Sequence, residues 1–216
     1  MKKRSIALLL LLVLLTGCGA KTEEAPWQAA YRETGKYLQE QDTLSAGSVG
    51  GEWAVIGLSR AGLLSDKAAQ SYEITAEDYV KQADSGRLDR SKSTENSRTI
   101  LGLTAAGYDA SNVAGVDLTS GLSDMNYLRI QGLNGPIWAL IALDCHSYDI
   151  PQCAEGGEQT TREGLVAEIL TSQCSDGGWT LAGDTADVDM TAMALTALAA
   201  YKDDAEVKAA VDAALA

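Results

Sequence analysis

The sequence predicts an all-α chain, on three observations. Apolar residues recur at helical spacing in nearly every segment, no convincing period-two strand pattern appears, and strongly apolar stretches alternate with amphipathic ones. The apolar stretches are "AVIGLSRAG" (54–62), "TILGLTAAG" (99–107), "WALIALD" (138–144) and "MALTALA" (193–199). The first two match one another position by position, and so do the last two. All four are too apolar for surface helices, so they are expected as inner ones. The amphipathic stretches, 27–41, about 75–83, 115–127, 162–172 and 204–216, are expected as outer helices. Pairing each outer helix with an inner one gives stacked hairpins that bury a core no single repeat could bury alone. Gly62, Gly107 and the pair Asn134-Gly135 are the expected stops and starts. The polar run 85–98, "SGRLDRSKSTENSR", reads as a surface loop.

The N-terminus, "MKKRSIALLLLLVLLTGC", places three cations before an apolar run at 6–15. That is an export signal whose run is well short of the ~20 residues a spanning helix needs. Its Leu-Thr-Gly-Cys ending resembles the bacterial lipobox, which implies cleavage after residue 17 and acylation of Cys18. Residues 1–17 are thus expected as a lipoprotein signal peptide, 18–26 as lipidated Cys and tether, and 27–216 as one helical domain on the extracytoplasmic face of the membrane. The formal charge is −13, and losing the three cations of 1–17 takes it to −16. Such a surface repels phosphate backbones, which argues against nucleic acid as a partner. Beyond Cys18 there remain Cys145, Cys153 and Cys174: the near pair could close a short loop, or all three could be free thiols.

The stretch 162–179, "REGLVAEILTSQCSDGGW", ends an amphipathic segment in Gln173 and then gives Asp176, Gly177, Gly178 and Trp179. This resembles the QW-type repeat of the terpenoid cyclase and protein prenyltransferase superfamily, in which Gln and Trp lock neighbouring hairpins together. The following "DVDMTAMALTALAAY" (187–201) is similar to the inner helix after that repeat, and to that of the cobalamin-carrier toroid. The likeness covers 134–201 and extends more weakly over 50–134. It implies an α/α toroid, two concentric helix layers around a central cavity. With roughly four and a half hairpins where the family ring has about six, the toroid is expected to be incomplete at the C-terminus. Another chain or a longer reading frame would supply the missing hairpins.

The resemblance nominates Asp189 as the acid of the squalene-hopene type motif Asp-x-Asp-Asp-Thr-Ala, with Asp187 its partner and Met190 in the third carboxylate's place. Protonating an alkene demands an acid held protonated by its neighbours, whereas a helix N-terminus stabilises the anion and uses it as a cap. Capping is therefore the leading reading, with catalysis and ligand contact left open. Asp144, Cys145 and His146 are consecutive, so their side chains diverge and cannot close on one metal ion. The expectation there is a core Cys145 and an exposed His146. The run 155–159, "EGGEQ", resembles a thioester motif but carries Gly156 where the thiol must be, and it reads as a loop before a helix capped by Thr160 or Thr161. Trp53 and Trp138, with Asp187 and Asp189, are the candidate ligand contacts, set against ordinary packing for these tryptophans and for Trp179. No phosphate loop, Ser/His/acid set or basic cluster for a diphosphate is present. The expected function is thus non-catalytic binding of a small hydrophobic or cobalamin-like ligand, or of a protein partner, by a membrane-anchored lipoprotein, with no cofactor and no metal. A squalene-type cyclase relative and a purely structural surface module are the alternatives.

Overall fold

A computed structural model describes residues 25–40, 44–48, 50–83 and 86–216. Residues 1–17, Cys18 and the tether to residue 24 lie outside the described residues. One compact unit ends at Tyr37, and the other runs from Leu38 to Ala216. Among the described residues there are nine α-helices and no strand: α1 Pro26–Gln39, α2 Gly51–Arg60, α3 Asp66–Lys81, α4 Ser93–Ala106, α5 Met125–Leu128, α6 Asn134–Asp144, α7 Arg162–Thr171, α8 Val188–Leu198 and α9 Ala205–Ala214. None is long and apolar enough to cross a membrane.

Within the second unit, α2, α4, α6 and α8 pack side by side in that order. These are the four apolar stretches, and they supply much of the core, including Val55, Leu58, Ile100, Leu103, Ile137, Leu140 and Leu198. Behind them α3 packs on α4, α7 on α6, and α9 on α7 and α8. Side-chain caps set where several of these helices start. Ser65, Thr161, Asp187 and Asp204 accept from the backbone N–H of Ala68, Gly164, Met190 and Val207, the orphan donors of a first turn.

Three boundaries depart from the sequence expectation. The outer helix expected over about 75–83 begins at Asp66, where Ser65 caps its first turn. The stretch 115–127 does not form a helix throughout. It holds a 3₁₀ turn, Leu118–Leu122, and the single-turn α5. Here side chains compete with helical bonding: Asp117 accepts from Thr119 N–H, Asp124 accepts from Asn126 N–H, and Ser120 and Ser123 donate to the carbonyls of Asp117 and Ser120.

The third departure matters most. Residues 93–98, read as surface loop, form the first turns of α4, and Ser93, Asn96, Ser97 and Thr99 are fully buried. Asn96 does the work of the missing outer helix. Its Oδ1 accepts from Leu88 N–H at 2.9 Å while its Nδ2 donates to Gly86 O and, at 2.9 Å, to Leu118 O. One amide thereby fastens the 86–88 connector and the 3₁₀ turn to the central helix. Replacing Asn96 by Ala leaves those three backbone groups without their partner, at about 1–3 kcal/mol for each left unsatisfied. Chemical denaturation should show a loss of several kcal/mol for Asn96→Ala; a change within error would mean that water or another group replaces the amide.

Candidate functional site

Trp53 on α2 and Trp138 on α6 meet at 5.3 Å between ring centroids, tilted by 59°, although α4 lies between their helices in the packing order. The four inner helices enclose a cavity of about 600 Å³, and neither Trp53 nor Trp138, expected as ligand contacts, is among its lining residues. Ile56, Ser59 and Arg60 of α2 line it with Leu101, Thr104 and Ala105 of α4. The rest of the wall is Ile141, Asp144 and Cys145 of α6 and its end, and Thr196, Ala197 and Ala200 of α8 and the 3₁₀ turn after it.

Each helix presents one face from its C-terminal end, with residues at i, i+3 and i+4 on α2, α4 and α6 and at i, i+1 and i+4 on α8. The internal repeats foretell this arrangement. Aligning "AVIGLSRAG" with "TILGLTAAG" superposes Ile56 on Leu101, Ser59 on Thr104 and Arg60 on Ala105, and aligning the other pair superposes Ile141 on Thr196. The signal for the cavity is present in the sequence as positional equivalence between repeats, carried by common residue types.

Most polar groups of the wall are already engaged. Thr104 shares a 2.7 Å hydrogen bond with Tyr148 Oη, and Thr196 Oγ1 donates to Ala192 O. Asp144 accepts from Arg162 Nε at 2.7 Å and Tyr201 Oη at 2.8 Å. Arg162 also donates to the carbonyls of Leu143 and Tyr148 at the end of α6. Asp144 is thus a clamp between α6, α7 and the turn after α8. Burial and then the Asp144 carboxylate hold the Tyr201 hydroxyl above the usual phenol range. Cys145 is exposed as a residue, correcting the expectation of a core cysteine, yet its thiol donates to Ala142 O and is pushed up by burial, with Asp144 adding to the shift. It stays protonated, which is the unreactive form.

The other sequence candidates lie elsewhere. Asp187 caps α8, its Oδ1 accepting from Met190 N–H at 2.8 Å, and Asp189 sits exposed in the first turn. Neither lines the cavity. Cys145, Cys153 and Cys174 are all free thiols. His146 is exposed with its ring against Tyr148, and among the described residues no cluster of His, Cys, Asp or Glu is arranged for a metal. In the 155–159 loop Gln159 ties its own neighbourhood, accepting from Cys153 N–H and donating to Pro151 O and Thr160 O.

The 173–179 segment fastens three helices. Gln173 Nε2 donates to Gly177 O and, across to α9, to Ala210 O at 2.8 Å. Trp179 is buried and its Nε1 donates to Ile169 O on α7, while its backbone N–H reaches Thr191 Oγ1 on α8. Asp176 accepts from Ala186 N–H. Both glycines are required: a Cβ on Gly177, at φ +94°, would lie 2.6 Å from Ala213 O, and one on Gly178 would lie 2.5 Å from the Ala186 Cβ.

Sequence reasoning missed Glu52. It is fully buried, its Oε1 accepting from Gly47 N–H at 2.6 Å and its Oε2 lying 3.3 Å from Arg98 Nε. Arg98 also grips Glu95 at 2.7 Å, and Tyr79 Oη donates to the same Glu95 oxygen. Desolvation raises the Glu52 carboxyl above its ordinary 4.5, against the pull of the Gly47 N–H and Arg98. Burial and Glu95 together push the Tyr79 phenol up to about 12. Nothing in the sequence marks a lone Glu beside Trp53 as buried.

Comparisons with protein families, with curated proteins and with solved structures give no match to this chain.

Glu52 sets a pH dependence. Unfolded, it titrates near 4.5; folded, it titrates higher, so the folded state binds the proton more tightly. That stability is fully present below pH 4.5 and is lost as the pH rises through the folded value. Thermal melts of the wild type and Glu52→Gln should therefore diverge in the variant's favour between pH 4 and 7. A constant offset would show that Arg98 cancels the burial cost.

Proposed function

We propose that this chain is a membrane-tethered lipoprotein whose stacked helical hairpins form a toroid-like arc, and that the concave face of the arc binds a small apolar molecule without transforming it. The cavity carries the reading. A volume of about 600 Å³ falls in the range of pockets that enclose a single small ligand. Its wall is largely aliphatic, from Ile56, Leu101, Ala105, Ile141 and Ala197. The size favours a compact apolar guest over a corrin ring. The terpenoid cyclase likeness enters as architecture only, since Asp187 and Asp189 stand outside the cavity and nothing in its wall is an activated acid or nucleophile. Acylated Cys18 would hold the domain at the membrane, where apolar molecules concentrate.

Two measurements test this reading. The neutral fluorophore N-phenyl-1-naphthylamine should bind the detergent-free domain saturably. Leu101→Trp, which fills the cavity, should weaken that binding at least about tenfold, the loss of roughly 1.4 kcal/mol of contact, while Asp189→Asn leaves it unchanged. Binding indifferent to Leu101→Trp would leave the chain as a structural surface module. Separately, the intact mass of the protein from a bacterial membrane should show loss of residues 1–17 and gain of acyl groups, both abolished in Cys18→Ser.

A further inference from the structure

The cavity wall bears two charged side chains, Arg60 and Asp144, in opposite circumstances. Both oxygens of Asp144 are taken, Oδ1 by Arg162 Nε at 2.7 Å and Oδ2 by Tyr201 Oη at 2.8 Å, so its charge is answered by Arg162. Arg60 ends α2 and is exposed, and among the described residues no carboxylate pairs with its guanidinium. The other polar groups of the wall are neutral: Thr104 and Thr196 are bonded to Tyr148 and Ala192, and Cys145 is held as a thiol. With Asp144 set against Arg162, the one uncompensated charge at the cavity is the Arg60 cation.

We propose that the guest of this cavity is an aliphatic carboxylate, its chain against Ile56, Leu101, Ala105 and Ile141 and its head paired with Arg60. The proposal rests on the cavity holding a guest at all, and it deepens that reading by naming the head group. A guanidinium only donates, and its planar fork matches the two oxygens of a carboxylate. Arg60 lies four residues beyond Ile56 on the same face of α2, so one helix offers contacts to both the head and the chain. The repeat alignment that superposes Ile56 on Leu101 puts Ala105 in the place of Arg60, and neither α4 nor α8 has a basic residue in its last turn. The end of a helix repels an anion, so the α2 corner is where a carboxylate settles, which fixes the direction of the guest. A phosphate monoester, with a charge of about −1.5 to −2, would be left half compensated by a single guanidinium. The formal charge of −13 opposes an anion at this corner only weakly, because exposed charges more than about 8 Å away are largely screened in physiological salt.

The experiment displaces N-phenyl-1-naphthylamine from the detergent-free protein with decanoate, decanol or decyl phosphate, which share a chain length and differ in the head. Each protein is its own reference, since the readout is the ratio of decanoate to decanol affinity at neutral pH. The wild type should bind decanoate at least about fivefold more tightly than decanol, the scale of one exposed ion pair. Arg60→Gln, which keeps a donor and loses the charge, should abolish that preference, and Arg60→Lys should retain part of it, with circular dichroism confirming the fold of both. Decanol bound as tightly as decanoate would overturn the proposal and leave an apolar cavity without a head-group site. A preference that survives Arg60→Gln would place another cation at the head and overturn it too, as would tighter binding of decyl phosphate than of decanoate. A fluorophore that binds but yields to none of the three would rule out a linear aliphatic guest. If the fluorophore itself does not bind, the cavity reading and this proposal fall together.

Discussion

A single buried amide, that of Asn96, underlies the architecture. A helical hairpin array needs an outer element behind each inner helix, and between α4 and α6 this chain has two 3₁₀ turns, Leu118–Leu122 and Arg129–Gln131, and the single turn of α5. Short elements of that kind cannot hold position by apolar burial alone. Asn96 supplies direction where area is lacking, joining α4 to the 86–88 connector and the Leu118 carbonyl in a fully desolvated setting. Since α4 touches α2, α3 and α6, the placement of the whole inner row follows from how that helix is held.

The cavity wall depends on the same row. Its lining recurs at equivalent positions of α2 and α4, where an aliphatic residue, Ile56 or Leu101, is followed a turn later by a hydroxyl-bearing one, Ser59 or Thr104. Arg60 and Asp144 are the charged exceptions, and Asp144 is neutralised by Arg162 and the Tyr201 hydroxyl.

Much of this was legible in the sequence, and the remainder failed for physical reasons. The four inner helices announced themselves because a helix buried on most sides is apolar on most sides, as 138–144 shows. The 173–179 turn was legible because Gly177 and Gly178 stand where Ala213 and Ala186 leave no room for a side chain. The buried start of α4 was hidden because Ser93, Asn96, Ser97 and Thr99 are the residue types of a solvated loop, and their desolvation is tolerated only through partners distant in sequence. Glu52 was hidden likewise, its partners being a loop N–H at Gly47 and a guanidinium on another helix. The stretch 115–127 has a helical pattern of apolar residues, but its Asp and Ser side chains win the local contest for backbone groups.

The inner helices all offer residues of their C-terminal halves to one cavity, and the C-terminal end of each helix carries roughly half a negative charge. Two arginines answer that field: Arg60 in the last turn of α2, and Arg162 bonded to the Leu143 carbonyl at the end of α6. The ends of α4 and α8 carry no basic residue in their last turns. If the cavity takes a guest as proposed, the ends of α4 and α8 without a basic residue favour a neutral or cationic group over a carboxylate beside them.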